Sequence, residues 1–227
     1  MNIPAEPRFT LFPPVITFLL IVNGVVFLLQ GFMGPMLITH FALWPLGTPE
    51  AMPFMGRLTQ VPDFQVWQLV TYGFLHGGLF HLFVNLFAMW MLGVQVENAW
   101  GSRLFAIYFL ICVIGAGLVQ LVVATQMAAD GDIYPTVGAS GGVFGILLAF
   151  GMMFPNQRLM LIFLPVPIKA KYFVLAYGAF ELFAGITRTD AGIAHFAHLG
   201  GMVVGLLLIQ YWRGRLPIKP RRQVFWW

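Results

Sequence analysis

The sequence predicts an all-α fold: a polytopic membrane helix bundle of six transmembrane helices, with a short central fourth helix. Three observations lead there. Hydrophobic residues make up 59% of the chain and charged residues only 9%, with a mean hydropathy of +0.85, a balance that excludes a water-soluble globule. Apolar runs approaching the length of a membrane span recur along the whole chain. The fourth of these runs is too short to reach from one face of a bilayer to the other.

Taken in order, residues 1–14 are a short polar, proline-containing lead without the basic region and small-residue cleavage site of a signal peptide. They read as a retained cytoplasmic tail. The first span runs from Val15 to about Phe32, interrupted only by Asn23 and Gly24. From Met33 to Val66 five prolines fall among apolar residues such as Phe41, Leu43 and Trp44, which predicts a partly membrane-embedded loop. Further apolar segments cover Gly77 to Val94, Leu104 to Met127, Ser140 to Phe154, Ile168 to Ile186 and Ile193 to Trp212. The domain is therefore residues 15–212, followed by a basic cytoplasmic tail, residues 213–227, that reads as a juxtamembrane anchor. Cys112 is the single cysteine, so an intrachain disulfide and a thiolate metal cluster are both excluded. It reads as a small core residue. The net charge of +4 needs no nucleic-acid partner, because the tail accounts for it.

Charge bias orients the bundle. With the N-terminus cytoplasmic, the inside segments collect Arg8, Arg103, Arg158, Lys169, Lys171, Arg213, Arg215, Lys219, Arg221 and Arg222, against Arg57 and Arg188 outside. Ten against two is a strong positive-inside signal and puts both ends of the sequence in the cytoplasm. Spans two, four and six then start at the outer face, and each carries polar residues near that start. These are His76, His81 and Asn85, then Ser140, then His195 and His198. Polar and ionisable groups inside a membrane are costly and mark a functional site or a wet cavity.

Ser140 lies in Gly138-Ala139-Ser140-Gly141-Gly142, where a polar loop gives way to an apolar helix. The flanking Gly138 and Gly141 keep the backbone free of bulk, and the hydroxyl is placed at a helix N-terminus, as a nucleophile would be. The alternative is an N-cap serine, with Gly141 and Gly145 forming a close helix contact. Geometry supports the first reading. A helix from Ser140 to Phe154 is roughly 22 Å long against a hydrocarbon core of about 30 Å. Anchored at the cytoplasmic face by Asn156 and Arg158, it stops short of the outer face, and Ser140 forms the floor of a cavity there.

A serine hydroxyl needs a base, and His198 is the candidate. Gly201 and Gly205 on the same run form a small-residue face that lets the sixth span approach the glycines of the fourth. His81 and Asn85, spaced i, i+4 on one helix face, and the backbone N–H of Ser140 at the helix start supply oxyanion donors. No carboxylate lies on the outer ends of these three spans, which predicts a Ser-His dyad rather than a triad. Two other readings compete. His76, His81, His195 and His198 could bind zinc, but no HExxH-type ligand spacing is present, and neither metal nor cofactor is expected. Glu181, within the fifth span, could serve a transporter or proton relay, or be a hydrogen-bonded packing residue. His195 reads as a cavity-lining neighbour of His198, and His40 and His76 as loop or interface residues.

Together, Gly138-Ala139-Ser140-Gly141, His81-Leu82-Phe83-Val84-Asn85 and Ala197-His198-Leu199-Gly200-Gly201 resemble the rhomboid intramembrane serine proteases in their six-span bacterial-type form. The resemblance covers Val15 to Trp212. It implies hydrolysis of peptide bonds in or beside the bilayer, with Ser140 as nucleophile, His198 as general base and acid, and His81 and Asn85 contributing to the oxyanion hole. It also implies single-span transmembrane protein substrates and a bacterial inner membrane with the active site opening outward. Phe144 matches a position where an aromatic ring packs on the catalytic histidine. Gln68, after Trp67, stands where relatives commonly carry arginine. Gly93, Glu97 and Gly101 resemble a structural motif at the turn between spans two and three. Lateral access past the fifth helix and a lid at Thr187 to Gly192 follow as expectations. A rhomboid-like protein that binds membrane clients without cutting them is the alternative.

Overall fold

The computed structural model describes residues 9–48, 51–54, 57–161, 164–187 and 194–220. Arg8, Arg188, Arg221, Arg222 and most of the expected lid, residues 188–192, lie outside them. Six helices of three or more turns follow one another: α1 (Pro14–Phe41), α3 (Leu79–Trp100), α4 (Ser102–Ala129), α5 (Ser140–Met153), α6 (Ala170–Thr187) and α7 (His195–Trp212). A four-residue helix α2 (Gln68–Thr71) and a 3₁₀ turn (Tyr72–Phe74) precede α3. Two antiparallel hairpins complete the fold, β1 (Ala51–Phe54) with β2 (Arg57–Gln60) and β3 (Arg158–Leu161) with β4 (Leu164–Lys169). Among the described residues α1, α3 and α4 are long and apolar enough to cross a membrane, and α5 is a shorter apolar helix.

The first helix departs from the sequence expectation, which ended it near Phe32. It continues to Phe41, with one non-helical residue, Met33 (φ −126°, ψ 23°), just before Pro35. The break restarts the helix so that proline occupies a first turn, where its missing N–H leaves no hydrogen bond unmade. His40 therefore stands in the last helical turn and not in a loop. His76, expected in a loop or at an interface, lies in the loop between the 3₁₀ turn and α3 and is buried at 2% exposure.

The start of α1 is held by Glu97. Its Oε1 accepts from the Val15 N–H (3.0 Å) and the Ser102 hydroxyl (2.7 Å), and its Oε2 accepts from the Ile16 N–H (2.9 Å). A carboxylate here satisfies two of the N–H groups that a helix start leaves unpaired. Gly101, at φ +79°, turns the chain between α3 and α4 in a conformation that favours glycine.

The helix α5 forms the centre, with ten of its fourteen residues buried. Glycines make this possible. A Cβ on Gly142 would lie 2.5 Å from Phe109 of α4, one on Gly145 2.5 Å from the Cys112 sulfur, and one on Gly151 2.5 Å from Val174 of α6. A Cβ on Gly201 would overlap the Gly141 carbonyl oxygen, so α5 and α7 meet backbone to backbone. The Tyr108 hydroxyl then bridges α4 to α5 by donating to the Gly145 carbonyl (2.8 Å). By contrast α1 buries only Ile16, Leu19 and Asn23 and exposes Phe18, Ile21, Leu28 and Phe32. Such an apolar outer surface suits lipid, not water.

Candidate active site

The loop before α5 is tied down at two points. Leu43 and Thr136 exchange backbone hydrogen bonds (3.0 and 2.9 Å), and the Gly138 N–H donates to the Tyr72 carbonyl (2.9 Å). Gln68, buried at 1% exposure, accepts at Oε1 from the N–H groups of Trp44 and Gln65, each at 3.2 Å. The side chain at this position thus joins the segment after α1 to α2, a role the sequence did not reveal. Gly138 has φ +132°, and a Cβ there would sit 2.8 Å from the His81 ring. Only glycine lets the loop pass this close to His81 in that conformation.

Ser140 is the first residue of α5, with Ala139 at the N-cap and no side-chain cap. Its hydroxyl is therefore not a capping group. It lies 2.8 Å from His198 Nε2. His198 sits on the first turn of α7 and is buried, and its ring stacks on Phe144 with centroids 4.2 Å apart and planes 7° from parallel. Tyr177 of α6 also packs against Phe144, with ring centroids 5.0 Å apart.

His81 and Asn85 lie on the first turns of α3 and line the same cavity as Ser140 and His198, a space of about 1670 Å³ bounded by α3, α5, α6, α7 and the loop before α5. The Gly77 N–H donates to His81 Nδ1 (3.3 Å). A ring that accepts at Nδ1 carries its proton on Nε2 when neutral, so His81 can present an N–H donor to the cavity. One Asn85 amide hydrogen is engaged by the His81 carbonyl (2.9 Å), which fixes the amide on that helix face.

The expectation that no carboxylate faces the pair is corrected by Glu181 of α6. Its Oε2 lies 2.9 Å from His198 Nδ1 and 2.7 Å from His195 Nδ1, and the carboxylate is 2% exposed. The helices bearing Ser140, His81 and His198 offer no carboxylate there; the partner comes from α6, between α5 and α7 in the chain. One signal was available: Glu181 lies six residues before the end of α6 at Thr187, and His198 three residues after the start of α7 at His195. At 1.5 Å per residue these offsets are roughly 9 and 4.5 Å, which puts both groups toward the same end of an antiparallel pair.

Among the described residues Glu181, His195 and His198 are the only His, Cys, Asp or Glu side chains whose ligand atoms converge, within 4.8 Å of one another. The 2.7 and 2.9 Å separations are hydrogen-bond lengths, whereas two ligands on one tetrahedral zinc stand about 3.3 Å apart. We assign no metal there. His76, also expected as a possible zinc ligand, instead packs edge-on against His81 with centroids 5.1 Å apart.

A bundle of apolar helices around a cavity that Ser140, His198, His81 and Asn85 all line defines a membrane protein with a built site. The family described as the Rhomboid domain matches residues 63–215, and the chain belongs to the rhomboid family. It is 29% identical over 173 residues to "Rhomboid protein 1, mitochondrial" of Saccharomyces cerevisiae, covering 75% of this chain and 49% of that protein. It is 32% identical over 158 residues to "Presenilin-associated rhomboid-like protein, mitochondrial" of Rattus norvegicus, covering 64% and 39%. To "Rhomboid protease GlpG" of Photorhabdus laumondii it is 26% identical over 220 residues, covering 93% and 66%. The matched regions thus span half or less of the two mitochondrial relatives.

Proposed function

We propose that this chain is an intramembrane serine endopeptidase that cuts single-span membrane proteins in or near their transmembrane segments. The observation that carries the reading is the 2.8 Å contact between Ser140 Oγ and His198 Nε2 at the start of a buried helix. Ser140 Oγ attacks the scissile carbonyl while His198 Nε2 takes its proton and then delivers it to the leaving amine. The negative charge on the carbonyl oxygen is met by the Ser140 N–H, the His81 ring N–H and the Asn85 amide. Phe144 holds the imidazole plane, and Gly138 and Gly141 admit the neighbouring backbone. Water entering the cavity then hydrolyses the acyl-enzyme, with His198 as base. This chemistry uses no metal or cofactor.

In this reading the six longer helices form the membrane bundle, with α5 stopping short of the outer face, residues 15–212 form the membrane domain, and residues 1–14 and 213–227 are cytoplasmic. The lysine and arginine distribution supports that orientation, with the cavity opening to the outer side. The match to a bacterial relative over 93% of this chain supports a bacterial plasma membrane.

Covalent labelling of the detergent-purified protein with a fluorophosphonate, mapped by mass spectrometry, tests the reading. Modification at Ser140 that is lost in both Ser140→Ala and His198→Ala is the expected result. A folded wild-type protein that stays unlabelled overturns the protease reading and favours non-catalytic client binding.

A further inference from the structure

The serine-histidine pair leaves one buried charge unused. Glu181 is an acid on a helix among apolar neighbours, and a carboxylate in that setting is stable only when paired. Two imidazoles pair it, through the same oxygen, at 2.7 and 2.9 Å. A carboxylate oxygen accepts, so each histidine donates its Nδ1 proton. For His198 this has a direct chemical consequence. With the proton on Nδ1, Nε2 of the neutral ring carries a lone pair, and Nε2 is the atom facing the Ser140 hydroxyl at 2.8 Å. Without an acceptor at Nδ1, the imidazole is free to hold its proton on Nε2, where it cannot act as base.

We propose that Glu181 is a positioning residue that fixes the tautomer and orientation of His198 and stabilises the imidazolium formed when Ser140 attacks, making the site a Ser140-His198-Glu181 relay. The proposal rests on the serine-protease reading above. His195 donates to the same carboxylate oxygen, one turn before His198 on α7. The pairing also bridges α6 to α7, so any motion of α6 away from α7 withdraws the acceptor from His198. The site is then complete only while α6 is docked.

The groups facing His198 are Glu181 and Tyr177 from α6, His195 from α7, Ser140 from α5 and His81 from α3. Glu181 is the acid among them. The test measures fluorophosphonate labelling rates at Ser140 in the full chain, for wild type, Glu181→Gln and Glu181→Asp, with thermal unfolding as a check on folding. Glu181→Gln keeps volume and hydrogen-bonding capacity, so a purely structural role leaves the rate unchanged. The expected result is a labelling rate reduced about 100-fold in Glu181→Gln and largely restored by the carboxylate of Glu181→Asp.

Glu181→Asp keeps the charge at a longer distance, so its rate should fall by less than that of Glu181→Gln. A folded Glu181→Gln within twofold of wild type, or one matched in rate by a folded Glu181→Asp, overturns the positioning role while leaving Ser140 and His198 as the catalytic pair. Where the glutamine variant does not fold, a folded Glu181→Ala carries the test, and a rate within twofold of wild type overturns the role equally. Absence of wild-type labelling overturns the protease reading itself, and the two failures are therefore distinguishable.

Discussion

Phe144 and His198 lie face to face, their ring centroids 4.2 Å apart and their planes 7° from parallel. Stacking of this kind restrains the imidazole about the bond that Glu181 and Ser140 hold at its two nitrogens. Phe144 has no hydroxyl, so its contribution is shape and dispersion alone.

Truncating the ring measures that contribution. Phe144→Ala should lower the rate of Ser140 labelling by about tenfold, the upper end of what an aromatic stack contributes, whereas Phe144→Tyr keeps the stack and should stay close to wild type. Equal rates for wild type and Phe144→Ala would show that the other contacts hold His198 unaided.

The close approach of α5 and α7 makes a second prediction. A Cβ at position 201 would overlap the Gly141 carbonyl, and Gly141 follows Ser140 directly. Gly201→Val should destabilise the bundle by about 1–3 kcal/mol and separate Ser140 from His198, abolishing labelling even in the fraction that remains folded. Thermal unfolding in detergent, run beside the labelling assay, reads both effects. A fully labelled Gly201→Val protein would mean that the helices can part without disturbing the pair.

Access to the cavity gives a third. Phe83 on α3 and Phe180 on α6 both line it and are half exposed on the bundle surface. If substrates pass between these helices, cysteines replacing Phe83 and Phe180, joined by a bifunctional thiol crosslinker, should lower cleavage of a single-span substrate by about tenfold or more. Labelling by a small fluorophosphonate, which needs no helix movement, should persist. Undiminished cleavage after complete crosslinking would count against lateral access. Cys112 is buried and should not compete for the reagent.

Much of this protein is written locally in its chain. Membrane residence follows from composition, and the helix cores follow from unbroken apolar runs. The start of α5 at Ser140 follows from glycines and a polar loop in sequence. Family membership is carried by short motifs around His81, Ser140 and His198. Where local rules met a local exception the reading failed: Pro35 suggested the end of a helix, but the break at Met33 let the helix resume.

What tertiary structure alone decided are relationships between segments distant in the chain. Glu97 holds the start of a helix about eighty residues earlier, the acceptor oxygens lying on α3 and the donors on α1. Gln68 bridges to Trp44 across 24 residues. Glu181 and His198 are 17 residues apart on different helices, and no periodicity within either helix says which way their faces turn. Side-chain direction across a bundle is set by how the helices rotate against each other. Here α6 closes on its neighbours where Gly151 of α5 meets Val174 and where Gly185 meets Phe196 of α7. In that packing Glu181 turns inward onto two histidines rather than outward to lipid.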